Sequence, residues 1–299
     1  MTKLAKLQLG FAVLVLISLA VGWRALAETF LLASRDIQYT HLLLIVPVSA
    51  ALIFLEWRTL RKAILLNVRA GSVLLAIALL TACMAFVGTA GVSSDVLLSI
   101  QMLALVLWWI GAFVLCFGFQ AARLVLFPLL FLFGLVPLPI IAVDAIVKML
   151  QHGSVWAAYV LFSLCGVPVV QDGILITIPG LTLQIAEACS SIRSSSMLLV
   201  TAMVLAQLLL HSPWRKALVI ALAVPLSIAK NALRIFTIAM LGTRVDPGYL
   251  TGKLHHEGGS IFFAFVLLMI FALLWFLRRG ESSAPKVALR QTTAEAMGG

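Results

Sequence analysis

The sequence predicts an all-α integral membrane protein of about eight transmembrane helices, with a small extracytoplasmic hairpin and an amphipathic or re-entrant outer helix. Three observations carry that expectation. The 299 residues are 63% hydrophobic and 11% charged, with a mean hydropathy of +1.15, a composition whose solvent is lipid rather than water. Apolar runs of roughly membrane-spanning length alternate with short basic segments, the pattern of spans and cytoplasmic loops. One stretch, Val169 to Glu187, changes from a helical period to a period of two. The excess of 21 Lys and Arg over 11 Asp and Glu does not mark a nucleic-acid surface. Most of the cations flank apolar runs, where anionic membrane lipids hold them on the inner face.

The chain opens with Lys3, Lys6 and an apolar run from Leu9 to Val21. Ala25-Leu26-Ala27 then imitates the cleavage site of a secretory signal. Arg24 sits too close to that site, so an uncleaved first span is expected; either choice leaves residue 28 outside. A second span covers 41–57, and Arg58, Arg61, Lys62 and Arg69 after it are the strongest inside marker. Spans at 71–90 and 96–118 are joined by an outer turn with Ser93, Ser94 and Asp95. Arg123 marks a return inside, and a fifth span, about 122–137, ends at V-P-L-P (Val136 to Pro139), where two prolines forbid further regular helix.

From Ile140 to Pro168 polar residues, Asp144, Lys148, Gln151 and His152 among them, interrupt the apolar pattern. The run from Val155 to Cys165 is too short for a hydrocarbon core of about 30 Å, which suggests the amphipathic or re-entrant outer helix. Ile174, Ile176 and Ile178 then alternate, Pro179-Gly180 turns the chain, and Leu181, Leu183 and Ile185 alternate again, a hairpin. Strand backbone cannot face lipid, so the hairpin belongs above the membrane or inside protein. Three further spans, about 192–211, 216–241 and 260–277, complete eight, with both termini inside. The organisation expected is a single polytopic domain over 1–279, its motif-bearing core about 120–277, and a disordered cytoplasmic tail over 280–299.

Four cysteines, Cys83, Cys116, Cys165 and Cys189, form no C-x-x-C pair, so neither a zinc site nor a redox motif is indicated. Cys83 and Cys116 lie mid-span and read as packing residues; a disulfide from Cys165 to Cys189 is open on an oxidising face. Cys189 stands apart. It lies in E-A-C-S-S-I-R, Glu187 to Arg193, where extended sequence turns into an apolar helix. Backbone N–H groups at a helix start favour thiolate over thiol, and Arg193, four residues on, returns to the same face. The other reading is a small buried apolar residue.

Topology brings two more groups to the outer face. Arg234 falls near the outer end of the seventh span and His255 just before the eighth, 45 and 21 residues along, separations that antiparallel neighbours produce. Lys230, Asn231 and Arg234 interrupt an otherwise apolar helix, S-I-A-K-N-A-L-R. Cations within a span point to a bundle interior or a wet cavity, although snorkelling to head groups is the alternative. In L-H-H-E-G-G-S, His255 or His256 could take a thiol proton and return it to a leaving amine, and Arg234 could stabilise a tetrahedral oxyanion. Adjacent histidines rarely chelate together and no H-E-x-x-H spacing occurs, so no metal and no cofactor is expected.

These residues resemble the exosortase and archaeosortase family of integral-membrane transpeptidases. The resemblance rests on E-A-C-S-S-I-R at Glu187, N-A-L-R at Asn231 and H-H-E-G-G at His255, supported by V-P-L-P and by the hairpin before the cysteine. It covers about 120–275 by motifs and the whole chain by span pattern. It implies a catalytic set of Cys189, Arg234 and His255, the last chosen over His256 because glycine, here Gly259, follows four positions later. Arg193, Asn231, Lys230, Glu187 and His256 are then substrate-binding or supporting. The family's C-S-G-x-R reads C-S-S-I-R here, with Ser191 for glycine.

The resemblance further implies exported substrates with a C-terminal Pro-Glu-Pro-like sorting signal, a transmembrane helix and a basic cluster. A lipid or polysaccharide precursor would be the acceptor, at a site on the extracytoplasmic face of the inner membrane. Two alternatives compete with transpeptidation: a hydrolytic processing protease, and a transporter for an anionic solute that uses Arg193, Lys230 and Arg234. No internal repeat of the kind transporters show is visible.

Overall fold

The computed structural model describes residues 2–65, 68–87, 91–185, 192–250 and 259–297. Twelve α-helices and one three-stranded sheet are present among them. They divide into two compact units, Met1–Asp144 and Ala145–Gly299.

The first unit begins with α1 (Lys3–Val21), capped by Thr2, whose Oγ1 accepts from the Ala5 amide. Then come α2 (Trp23–Arg35), α3 (Leu42–Leu55), α4 (Trp57–Leu60), α5 (Val68–Val87) and α6 (Ser94–Phe117). Helices α5 and α6 approach closely because small residues face them. A Cβ on Gly71 would stand 2.4 Å from Leu115 Cα, and one on Gly111 would stand 3.0 Å from the Leu75 amide nitrogen, the small-residue contact of helices packed in lipid. Indole donors tie α6 to α1: Trp108 Nε1 to Leu14 O at 3.0 Å and Trp109 Nε1 to Ser18 Oγ at 2.9 Å. Phe11, Trp57, Phe113 and Phe117 interlock edge-on or tilted, with centroids 4.9 to 5.9 Å apart.

The expected fifth span is broken into α7 (Phe119–Leu124), α8 (Leu126–Phe131) and a 3₁₀ turn (Leu132–Leu135). Pro128 lacks the N–H that would bond the carbonyl four residues back, at Leu124, and its ring crowds that carbonyl, so α7 stops there. Before α7, Gly118 takes φ +89°, and a Cβ on it would lie 1.8 Å from Leu65 O; only glycine fits. The Pro128 carbonyl accepts from Ser49 Oγ at 2.8 Å and so ties α8 to α3.

Residues 140–164, read as an outer amphipathic or re-entrant segment, form one helix, α9 (Ile140–Leu164). Asp95 of α6 caps its start, with Oδ2 accepting from the Ile140 amide at 2.8 Å. Its end is a Schellman motif. Gly166 has φ +69°, Val167 N–H bonds Phe162 O at 3.0 Å and Gly166 N–H bonds Ser163 O at 3.1 Å.

In the second unit the hairpin proves to be a meander of β1 (Val170–Asp172), β2 (Leu175–Ile178) and β3 (Leu181–Gln184), antiparallel in the order β1-β2-β3. Pro179-Gly180 joins β2 to β3, with Gly180 at φ +83°, as a turn with proline then glycine requires. The period of two buries Ile176 and Ile178 and exposes Leu175 and Thr177. The sheet packs on α9 and on α11 (Pro213–Arg244): Val155, Ala158 and Phe162 meet Ile176, Ile178 and Ile185, together with Ala232, Ile235 and Ala239. Helices α10 (Ile192–Leu209) and α12 (Gly259–Met297) share a second core with α11, built on Leu198, Ala202, Val219, Ala223, Val266 and Ile270. At the opposite end of α11, Glu281 accepts from the His211 and Ser212 amides at 3.0 and 2.8 Å. It thereby places an anion at a helix start whose own side chains provide no cap.

Five helical segments among the described residues are long and apolar enough to cross a membrane: Leu4–Val21, Val68–Val87, Ser94–Phe117, Pro213–Arg244 and Gly259–Glu281. Two bent pairs, Leu42–Leu55 with Trp57–Ala63 and Leu126–Leu135 with Ile140–Leu164, raise the number to seven if each is one span. Among the described residues the expected count of eight is not confirmed. The described part of the sixth expected span, Arg193–Leu209, is a shorter apolar helix, and the fifth is broken. Cys116 is packed as expected, at 7% exposure, whereas Cys83 is exposed.

Candidate functional site

Cys189, Glu187, His255 and His256 lie outside the described residues. The structure does describe the chain that flanks them and the helix that carries the other predicted groups. Helix α11 contains Pro225, and the carbonyl of Ala221 therefore has no amide donor four residues on. Just beyond this point the helix presents a polar face. Ser227, Lys230 and Asn231 are 3%, 5% and 2% exposed, and Arg234 is half-buried one turn past Lys230.

That face meets the first turns of α10. Lys230 Nζ donates to Ser194 Oγ, and Ser195 Oγ and Ser227 Oγ are bonded at 2.6 Å. The serine run after Arg193 thus joins two helices where apolar packing alone would leave an ammonium unsolvated. The Lys230 ammonium turns toward α10, where Ser194 accepts from it. Arg193, in the first turn of α10, is exposed. Asn231 Nδ2 is buried and has no hydrogen-bond partner among the described residues.

The other flank of the cysteine segment is held from α9. Ile185, the last described residue before it, is 4% exposed. Its amide donates to Ile174 O at 3.1 Å and its carbonyl accepts from Gln151 Nε2 at 2.5 Å. Gln151 is 4% exposed. Ser194 lies five positions after Cys189 and Ile185 four positions before it, chain lengths that reach at most about 18 and 14 Å.

The histidine segment also starts against α11. A 3₁₀ turn, Pro247–Leu250, folds back so that a Cβ on Gly242 would lie 2.5 Å from Leu250 Cδ2. Its far end is Gly259, the first residue of α12. Beside the polar face lies an apolar pocket of about 380 Å³ lined by Trp156, Leu161, Leu226, Phe265 and Met269, with Lys230 as the charged residue in its wall.

Two of the predicted cations, Lys230 and Arg234, therefore sit on one helix, α11, that packs against both the start of α10, which carries Arg193, and the core beneath the sheet. Sequence reading missed Gln151, Ser194, Ser195 and Ser227 as parts of this region. Gln151 left one trace, as a polar interruption in an apolar stretch, but its partner is 34 residues away.

A family model described as transmembrane exosortase matches residues 23–272 of this chain. No curated protein and no solved structure matches it.

Proposed function

The chain belongs to the transmembrane exosortase family, and on that premise we propose that it is a cysteine transpeptidase that removes C-terminal sorting tails from exported proteins. The observation that carries the reading is that the family match, residues 23–272, contains all three motif residues, Cys189, Arg234 and His255. The local structure supports it: α11, which bears Arg234, is bonded through Lys230 to Ser194, five residues past Cys189.

In this mechanism His255 takes the thiol proton and the Cys189 thiolate attacks a backbone carbonyl carbon near the sorting signal. Charge gathers on the carbonyl oxygen, opposite the Arg234 guanidinium. Collapse breaks the C–N bond, and the amine of the membrane tail departs with the proton from His255. The acyl group remains on sulfur as a thioester. An acceptor hydroxyl or amine, from a lipid or polysaccharide precursor, then attacks it, passes its proton to His255 and frees the thiol. Arg193, Glu187, Asn231 and His256 support the substrate or the reacting groups. No metal or cofactor takes part, and the reaction occurs on the extracytoplasmic face of the membrane.

The test follows a tailed substrate by gel shift with the Cys189→Ala variant. Loss of processing is expected; undiminished processing would remove Cys189 as the nucleophile. Mass spectrometry of the mature C-terminus then separates transfer, which leaves an adduct, from hydrolysis, which leaves a free carboxylate.

A further inference from the structure

We propose that Gln151 is a positioning residue for the segment that carries Cys189, an inference that rests on the transpeptidase reading and adds to it a residue outside the motifs. The geometry is specific. Gln151 lies on α9, separate in sequence from every motif, yet its Nε2 reaches the carbonyl of Ile185 at 2.5 Å. Both residues are 4% exposed. Ile185 follows β3 directly, and Cys189 lies four residues beyond it. Strand β3 is an edge of the sheet. The Ile185 amide is still tied to Ile174 O at 3.1 Å, while its carbonyl is held from another element.

A buried carbonyl needs a donor. An amide side chain is suited to this one, since it is neutral and long enough to cross from a helix to a strand end. Downstream of the cysteine the hydroxyls of Ser194 and Ser195 are held from α11. Gln151 is the upstream counterpart of those bonds. Together they fix both ends of the stretch from which a nucleophile must meet a scissile carbonyl, and displacement of a reacting group by about 1 Å can cost about 100-fold in rate.

The experiment uses the full-length protein in detergent or lipid and compares Gln151→Met, of similar length but without the donor, with Ser154→Ala. Ser154 is equally buried on α9, but its Oγ bonds only Leu150 O within the same helix. Gln151→Glu, of the same shape and acceptor-only when ionised, is read alongside in case the methionine variant does not accumulate. Two readouts are taken: hydrogen exchange of peptides covering 186–191, and kcat and KM for a tailed substrate.

With Gln151→Met, exchange in 186–191 is expected to quicken about tenfold, the scale of one lost hydrogen bond, while exchange in α11 stays unchanged. The kcat falls about 10- to 100-fold with KM little altered; Ser154→Ala moves neither. Unchanged exchange in 186–191 overturns the proposal, as does a uniform rise across the unit, which would make Gln151 a packing residue only. The exchange arm stands apart from the chemistry: if Cys189→Ala still processes substrate, the transpeptidase reading falls, and the exchange result still decides whether Gln151 holds the segment.

Discussion

The ammonium of Lys230, at 5% exposure on α11, donates to the hydroxyl of Ser194 in the first turns of α10. A charged donor and a small hydroxyl thus join the helix of Arg234 to the helix that follows Cys189. The Ser195 to Ser227 bond lies beside it on the same face.

Lys230→Met keeps the stem and removes the charge, and it is expected to lower both thermal stability and tail processing. Hydrogen bonds to charged groups contribute about 1.5–3 kcal/mol. A double-mutant cycle of Lys230→Met with Ser194→Ala should return a coupling of about 1 kcal/mol or more. Additive effects in thermal unfolding would show that the two groups do not act together. Lys230→Arg should not restore function, because a planar fork does not fit a site built around serine hydroxyls.

Asn231 separates stability from function. Its amide nitrogen is buried and has no partner among the described residues, so Asn231→Leu removes a donor that contributes little there to folding. Stability is expected to hold within about 1 kcal/mol or to rise, since replacing an unsatisfied buried polar group is neutral or favourable. Processing is expected to fall about 10- to 100-fold, the range for removal of a positioning group. A variant with full activity would confine Asn231 to packing.

Gly118→Ala tests the break before α7. The residue sits at φ +89° and its Cβ would lie 1.8 Å from Leu65 O, so the backbone must move. A loss of about 2–4 kcal/mol is expected in thermal unfolding. Gly173→Ala, also at positive φ but with nothing within 4 Å of the new Cβ, should cost about 1–2 kcal/mol.

Much of the fold was legible because its signals are local. The Val68–Val87 and Ser94–Phe117 spans follow from runs of apolar residues, and the turn at Pro179-Gly180 from a proline that fixes φ followed by a glycine that admits the positive φ the turn needs. The alternation at Ile176 and Ile178 was read correctly. The neighbouring strand Val170–Asp172 was not, since its three residues are all exposed and carry no pattern. Cys83 read as a packing residue because hydropathy marks a span but not the side of it that faces lipid.

By itself the sequence determined that the chain belongs in a membrane, where most of its long helices and the turn between β2 and β3 lie, and which residues carry the motifs. These depend on composition, period and chain order. Tertiary structure decided which polar groups meet: Lys230 with Ser194 across 36 residues, Gln151 with Ile185 across 34, and the Gly118 backbone against Leu65. Such contacts depend on how helices rotate and cross when small residues allow them to approach, and no periodicity within one helix encodes its neighbour's rotation.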